Sequence, residues 1–335
     1  MIETAQFMTD TANITEKDVL SDAMETLDAG GAVFFRGSLG SPWELTIPTA
    51  TEVMGVFQTP REIDTILMFH AVLRGSLMLE TKSEQKPMQL EAGDLVLLTL
   101  QEPHIVREGQ GGACLNMQAI VGDHDIRQPL VFDAGEGNKS AKLICGGFFL
   151  RNTTLHPMLS GLPAVSKVSA GHGFDTLSFL LSMLATESES QQQGNRAVVK
   201  RIADLLLVEL LRSVMSKNEH LGWLGALHEP VLRKALAALH NNPGKDWTVP
   251  SLSSAIGVST SGLTQRFRNV LDQSPMQYLT NWRMHVATLL LLKPELTLDD
   301  VAEQVGYSAV AAFSRAFKRS VGCSPGQWRK EQGQS

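Results

Sequence analysis

The sequence predicts an α+β protein of two domains. An N-terminal sandwich or barrel of short strands is followed by two helices, and an all-α region built from two helix-turn-helix units completes the chain. Three observations carry this. Between Ala32 and Glu108 the apolar residues fall in short β-rich runs broken by Gly, Pro and charged turns, the pattern of an all-β layer structure. Between Thr248 and Trp328 one structural unit is written twice. The charge is divided as well: residues 228–335 hold 12 Lys+Arg against 8 Asp+Glu, while the rest of this −6 chain holds 17 against 27.

In chain order, Asp18 to Leu27 has Val19, Leu20, Ala23, Met24 and Leu27 as the apolar side of a short helix that ends at Gly30-Gly31. From Ala32 the period becomes two. AVFFRGSL, WELTIP, ILMFHAVLRG, SLMLET, MQLEAGDLVLLTL and HIVRE are the expected strands. Two helices come next, FDTLSFLLSMLATES and RAVVKRIADLLLVELLRSVM, joined by a polar segment from Glu189 to Asn195. Val198, Ile202, Leu205, Leu206 and Leu210 give the second a broad apolar stripe, and Leu205 to Val208 make it apolar on more than one side. Such a helix packs either on the strands or on a second subunit. LGWLGALHEP, with two glycines, is expected as a connector, and VLRKALAALHNNPGKDW as a helix ended by Asn241-Asn242-Pro243-Gly244. The expected domains are therefore 16–170, the strands; 174–216, the helical pair; 217–228, a linker; and 229–332, the helical domain.

Within that last domain Gly257 recurs as Gly306 and Ser259 as Ser308, 49 residues on; Phe267 recurs as Phe317, Ser274-Pro275 as Ser324-Pro325, and Tyr278 as Trp328, 50 residues on. A constant offset with a single one-residue slip marks an internal repeat. In the first copy Leu252, Ala255 and Ile256 form one face of a short helix, and Gly257 leaves it with positive φ. Ser259 caps the next helix, and Leu263 and Phe267, four apart, turn inward. The opposite face carries Thr260, Ser261, Thr264, Gln265 and Arg268. In the second copy Thr297 and Asp300 have capping-box spacing, Ser308 is the expected cap, and Phe313 and Phe317 anchor. Its outward face is Ser308, Ala311, Ser314, Arg315, Lys318 and Arg319. Between the copies Ser274 and Pro275 open a helix reaching Leu292, a rod of roughly 27 Å. Such a rod suits two recognition helices about one duplex turn apart, roughly 34 Å.

SPMQYLTNWRMHVATLLL and GYSAVAAFSRAFKRSVGCSPGQWR resemble the tandem helix-turn-helix domain of AraC/XylS-type transcription regulators. The resemblance implies double-stranded DNA as partner, with the second helix of each unit in the major groove. Ala309, Val310 and Ala311 offer no amide or carboxylate for a base edge. The second unit is therefore expected to anchor phosphates while the first reads more sequence. EAGDLVLLTLQEPHIV, with FHAVLRGS before it and ICGGF after it, resembles the cupin-type jelly-roll barrel found at the N-terminus of many such regulators. That implies a sensor and dimerisation domain, a homodimer, a small-molecule effector and, as in many relatives, activation through RNA polymerase. No cofactor and no enzymatic turnover are expected.

The cupin resemblance also raises a metal site. His104 stands at the second motif's histidine, eleven residues after Gly93, but the first motif's His-x-His pair is absent and Met68 replaces its glutamate. His70 shares a strand face with Met68, so His70, His104 and Cys145 form a candidate soft-metal set. The alternatives are a metal-dependent cupin enzyme or metal-sensing barrel fused to a DNA-binding adaptor, or two core histidines with a small buried thiol. A barrel of this size encloses one small molecule, and Arg36, Trp43, His70 and His104 are its candidate ligand-binding residues. Three scattered cysteines make no disulfide or zinc-finger framework. MIETAQFMTD has no signal-peptide character, and no apolar run has the length of a membrane span. A cytoplasmic protein without membrane partners is expected. The basic C-terminal part fits DNA contacts confined to one module.

Overall fold

A computed structural model describes residues 18–332 except 27, 58–62, 100–101, 122–129, 136–138, 152, 154–155, 170–175, 191 and 218–221. In chain order the elements begin with α1 (Val19–Thr26), β1 (Asp28–Gly40), β2 (Trp43–Ile47), α2 (Ala50–Val56), β3 (Thr65–Arg74) and β4 (Ser76–Glu80). They continue with β5 (Met88–Glu91), β6 (Asp94–Leu98), β7 (His104–Glu108), β8 (Ala113–Asn116), α3 (Met117–Val121) and β9 (Leu130–Ala134). Next come β10 (Lys139–Arg151), α4 (Pro157–Ser160), β11 (Val165–Ser169), α5 (Thr176–Glu189) and α6 (Asn195–Lys217). The chain finishes with α7 (Gly222–His228), α8 (Pro230–Asn241), α9 (Val249–Ile256), α10 (Thr260–Leu271), α11 (Pro275–Leu291), α12 (Leu298–Gln304), α13 (Val310–Val321) and α14 (Pro325–Gln332). The chain divides into two units. The strand unit is Ala29–Arg151 with Pro163–Lys217; the helical unit takes the residues up to Asp28, Asn152–Leu162 and the chain from Asn218.

In the strand unit, Ile66, Met68 and Val72 alternate along β3 with Leu67, Phe69 and Ala71, and both sets are buried. A strand buried on two faces belongs in the middle of a sheet. β3 lies third in the order β11-β6-β3-β10-β1-β9, and a second sheet runs β5-β4-β7-β2-β8. Phe35 and Met68 of the first sheet and Leu45, Leu79 and Val106 of the second meet in one apolar core. On the outer face of the six-stranded sheet Phe69 and Phe148 stack at 5.4 Å. Helices α5 and α6 pack on each other, with α5 touching β9 and α6 touching β11.

The expected barrel needs correction: among the described residues the strands form two open sheets facing each other. The expected strands are present, but β8, β9, β10 and β11 are additional, as are α2, α3 and α4. α2 had a readable signal, since Thr49 and Glu52 form a full capping box. Along α6 Ile202, Leu206 and Leu210 are buried as their spacing implies, whereas Val198 and Leu205 are exposed at 41% and 56%.

The helical unit is larger than 229–332. α1 contacts α8, and α4 contacts α7. His156, just before α4, bonds through Nε2 to the Ala23 carbonyl at 3.0 Å and meets the His285 ring edge-on at 4.9 Å. The expected linker contains α7, in which Trp223, Leu224, Ala226 and Leu227 are buried. A Cβ on Gly222 would stand 2.7 Å from the Gly161 Cα. The two glycines of LGWLGALHEP therefore do not mark a free connector: Gly222 permits a close backbone crossing, and Trp223 enters the core, where its indole donates to the Tyr278 hydroxyl at 2.7 Å. No helix among the described residues is long and apolar enough to cross a membrane.

Candidate functional site

Each helix-turn-helix is shaped by caps. Thr248 and Ser251 form a reciprocal capping box at the start of α9, and Gly257 ends that helix at φ 74°. The Ser259 side chain accepts from the Gly262 amide at 3.1 Å and starts α10. Leu263 and Phe267 are wholly buried, which turns the other side of α10 to solvent. Thr260, Ser261, Gln265 and Arg268 are exposed and Thr264 half-buried, its hydroxyl donating to the Thr260 carbonyl. These five residues and Asn269 line one shallow, open concavity. Sequence reasoning missed Asn269, although it stands four residues after Gln265 on the same face.

The second unit repeats the design with one change. Thr297 and Asp300 complete a capping box on α12, and Gly306 turns at φ 79°. Ser308, however, does not cap α13. The N-cap is Ala309, with no side-chain hydrogen bond. The turn after Gly306 is one residue longer than the turn after Gly257, which is where the repeat slips from 49 to 50. Ala311, Arg315, Lys318 and Arg319 are exposed and Ser314 half-buried, while Phe313 and Phe317 fill the core. Ser308 is exposed just outside the helix.

The rod between the units, α11, has 17 residues, hence a length of about 26 Å, with Ser274 as cap and Pro275 in its first turn. Arg283, midway along it, donates from Nε to the Pro243 carbonyl at 2.6 Å and from Nη2 to the Lys245 carbonyl at 2.8 Å. The same guanidinium lies over the Tyr307 ring at 5.9 Å. One cation thus ties the loop after α8 and the turn before α13 to the same rod.

Between the two sheets is a narrow apolar cavity of about 40 Å³, with walls that include Phe35, Leu45, Phe57, Met68, His70 and Cys145. Of the four candidate ligand residues only His70 lines it. Its Nε2 lies 2.8 Å from Nε2 of His104, which stands behind it at 1% exposure. Trp43 is buried in the same core, but its indole donates to the Glu108 carboxylate at 3.1 Å, away from the cavity wall. Arg36 follows Phe35 in the strand and so faces the other side of the sheet, where it pairs with Glu189 at the end of α5. Burial, with the neighbouring His104, lowers the His70 pKa well below its usual value; burial lowers that of His104 to about 4. Both rings are therefore neutral at pH 7. Cys145 sits opposite His70 in the β3–β10 pairing, and burial pushes its thiol up to about 12.

The candidate metal set needs correction on geometry. Among the described residues no three His, Cys, Asp or Glu side chains are grouped to hold a metal ion. The two imidazoles direct their Nε2 atoms at each other, 2.8 Å apart.

A cupin family model matches residues 18–216 and a helix-turn-helix domain model residues 252–331. An AraC-like transcription regulator of Streptomyces lividans is 32% identical over 278 residues, 82% of this chain and 88% of that protein. This chain belongs to the AraC-like transcription regulators. The HTH-type transcriptional regulator AlkR of Acinetobacter baylyi is 29% identical over 79% of this chain and 88% of its own length. Among solved structures, the C-terminal domain of AraT, a response regulator from Geobacillus stearothermophilus, is 35% identical over 30% of this chain and 85% of that one, at a TM-score of 0.29.

As an AraC-type regulator the protein carries a DNA-binding helix-turn-helix domain and acts on transcription. The chemistry of its two outward faces differs. The α10 face mixes hydroxyls, an amide and a guanidinium, groups that suit base edges as well as phosphates. The α13 face offers Arg315, Lys318 and Arg319 around an alanine, a set suited to phosphates.

Proposed function

We propose that this AraC-type regulator activates transcription as a homodimer in the cytoplasm, without catalytic turnover, under the control of a small effector held between its sheets. α10 reads sequence through Gln265 and Arg268, with Thr260, Ser261 and Thr264 beside them. α13 anchors phosphates through Arg315, Lys318 and Arg319, with Ser308, Ala311 and Ser314 at the backbone or at a thymine methyl. The two helices enter consecutive major grooves, and RNA polymerase is the partner of the activated complex. The observation that carries this reading is the α10 face, where Gln265 and five residues around it share one solvent-open concavity while Leu263 and Phe267 hold the helix down. A gel shift on the chain's own upstream region tests it: a specific, salt-sensitive complex is expected. If the full chain binds no duplex above the nonspecific level at low salt, the reading is lost.

Homodimerisation is supported by apolar side chains left on the paired helices: Phe179 at 57% and Met183 at 38% exposure on α5, one turn apart, and Val198 and Leu205 on α6. A second copy of the same helical pair would cover them.

A further inference from the structure

The composition of the cavity wall restricts what can enter it. Val53, Phe57, Ile66, Leu143 and Phe132 are typical of its lining; among the described residues no Lys, Arg, Asp or Glu belongs to it, and His70 and Cys145 alone bring an imidazole or thiol. A carboxylate or ammonium placed there would lose its hydration with no opposite charge to replace it. Hydrocarbon loses nothing comparable.

His70 narrows the class further. It is 3% exposed, and its Nδ1 is a buried polar atom with no hydrogen-bond partner among the described residues. Its Nε2 is committed to His104. One of the two facing nitrogens must carry the shared proton. If His104 donates, His70 presents Nδ1–H as a donor; if His70 donates, its Nδ1 is an acceptor. A ligand carbonyl or ether serves only the first tautomer. A hydroxyl serves both.

Resting on the effector reading above, we propose that the cavity between the sheets takes an uncharged, mainly hydrocarbon ligand carrying a hydroxyl group that pairs with Nδ1 of His70. Cys145, on the same wall and opposite His70, gives the site a reporter.

The test uses the full chain with Cys114→Ser and Cys323→Ser, leaving Cys145 as its single thiol. The probes are benzyl alcohol, toluene, benzoate and benzylamine, matched in size and differing in charge and hydroxyl. The readouts are the melting temperature and the rate at which 4,4′-dithiodipyridine labels Cys145. Benzyl alcohol is expected to raise the melting temperature by a few degrees and slow labelling at least fivefold. Toluene protects several-fold less, and the two ions do not protect. His70→Phe is expected to abolish the preference for alcohol over toluene while toluene still protects. If that variant does not fold, the four-probe series on the parent decides alone. Equal protection by benzoate or benzylamine overturns the neutral class, and equal protection by toluene overturns the hydroxyl. Protection by none of the four overturns the site. A gel shift on the same samples separates these outcomes from failure of the DNA-binding reading, because a chain that still binds its duplex but ignores the probes sinks the ligand proposal alone.

Discussion

Arg283 occupies the space beside Gly306 that a side chain there would need: a Cβ on Gly306 would lie 2.6 Å from its Nη2 and 2.7 Å from the Gly244 carbonyl oxygen. Through this contact the rod, the loop after α8 and the turn of the second unit meet at one point.

Gly306→Ala combines positive φ with a collision against backbone, so a loss of about 2–3 kcal/mol is expected. Gly257→Ala, at the equivalent turn, has positive φ but nothing within 4 Å of its new Cβ, and is expected to cost about 1 kcal/mol. Chemical denaturation followed by tryptophan fluorescence measures both. Equal losses would show that the Arg283 junction adds nothing.

Ala309→Ser supplies the cap that α13 lacks. A gain of about 1 kcal/mol is expected, read in the same denaturation experiment. Ser308→Ala should leave stability unchanged, since Ser308 is outside the helix.

On DNA, Arg268→Ala is expected to weaken specific binding and to flatten the slope of log K against log salt by about 0.9 if the guanidinium meets a phosphate. Gln265→Ala should instead relax sequence preference at one position by about 1–3 kcal/mol with the salt slope kept. Binding titrations at several salt concentrations on matched and mutated sites distinguish them. A change in folding of either variant would point to a structural role instead.

Acid should loosen the helical unit through its buried histidines. Burial and the adjacent His156 lower the His285 pKa to about 3; burial lowers that of His156 to about 4, against the raising effect of its bond to the Ala23 carbonyl. Both values lie below the unfolded value near 6.5, so the unfolded chain binds the protons first. Stability is then full above pH 6.5 and falls as pH drops from there through about 4, at roughly 1.4 kcal/mol per pH unit for each proton. Among the described residues His285 has no hydrogen-bond partner on either ring nitrogen. His285→Leu is therefore expected to fold at least as well at pH 7 and to show a shallower acid limb. A steeper limb would contradict the assignment.

Phe179→Asp is expected to shift the protein from dimer to monomer in sedimentation, with the fold retained by circular dichroism. A dimer that persists would remove α5 from the interface.

Local chemistry was legible in the sequence because it depends on residues close together in the chain. Ser259, Gly257, Ser274-Pro275 and Thr297-Asp300 fix where helices start and stop, and spacing alone put Leu263 and Phe267 inside and Gln265 and Arg268 outside. What the sequence could not decide depends on pairings between distant residues. The step from Phe35 to Arg36 reverses the face of a strand, so only the sheet pairing tells that Phe35 meets the cavity and Arg36 meets Glu189. Trp43 reads as a pocket residue until β7 brings Glu108 to its indole, and LGWLGALHEP reads as a linker until Gly161 and Tyr278 arrive against Gly222 and Trp223. The sequence by itself determined the repeat, its caps and its exposed polar faces; only the tertiary structure decided which polar groups find partners, because partners far apart in the chain are brought together by packing and not by period.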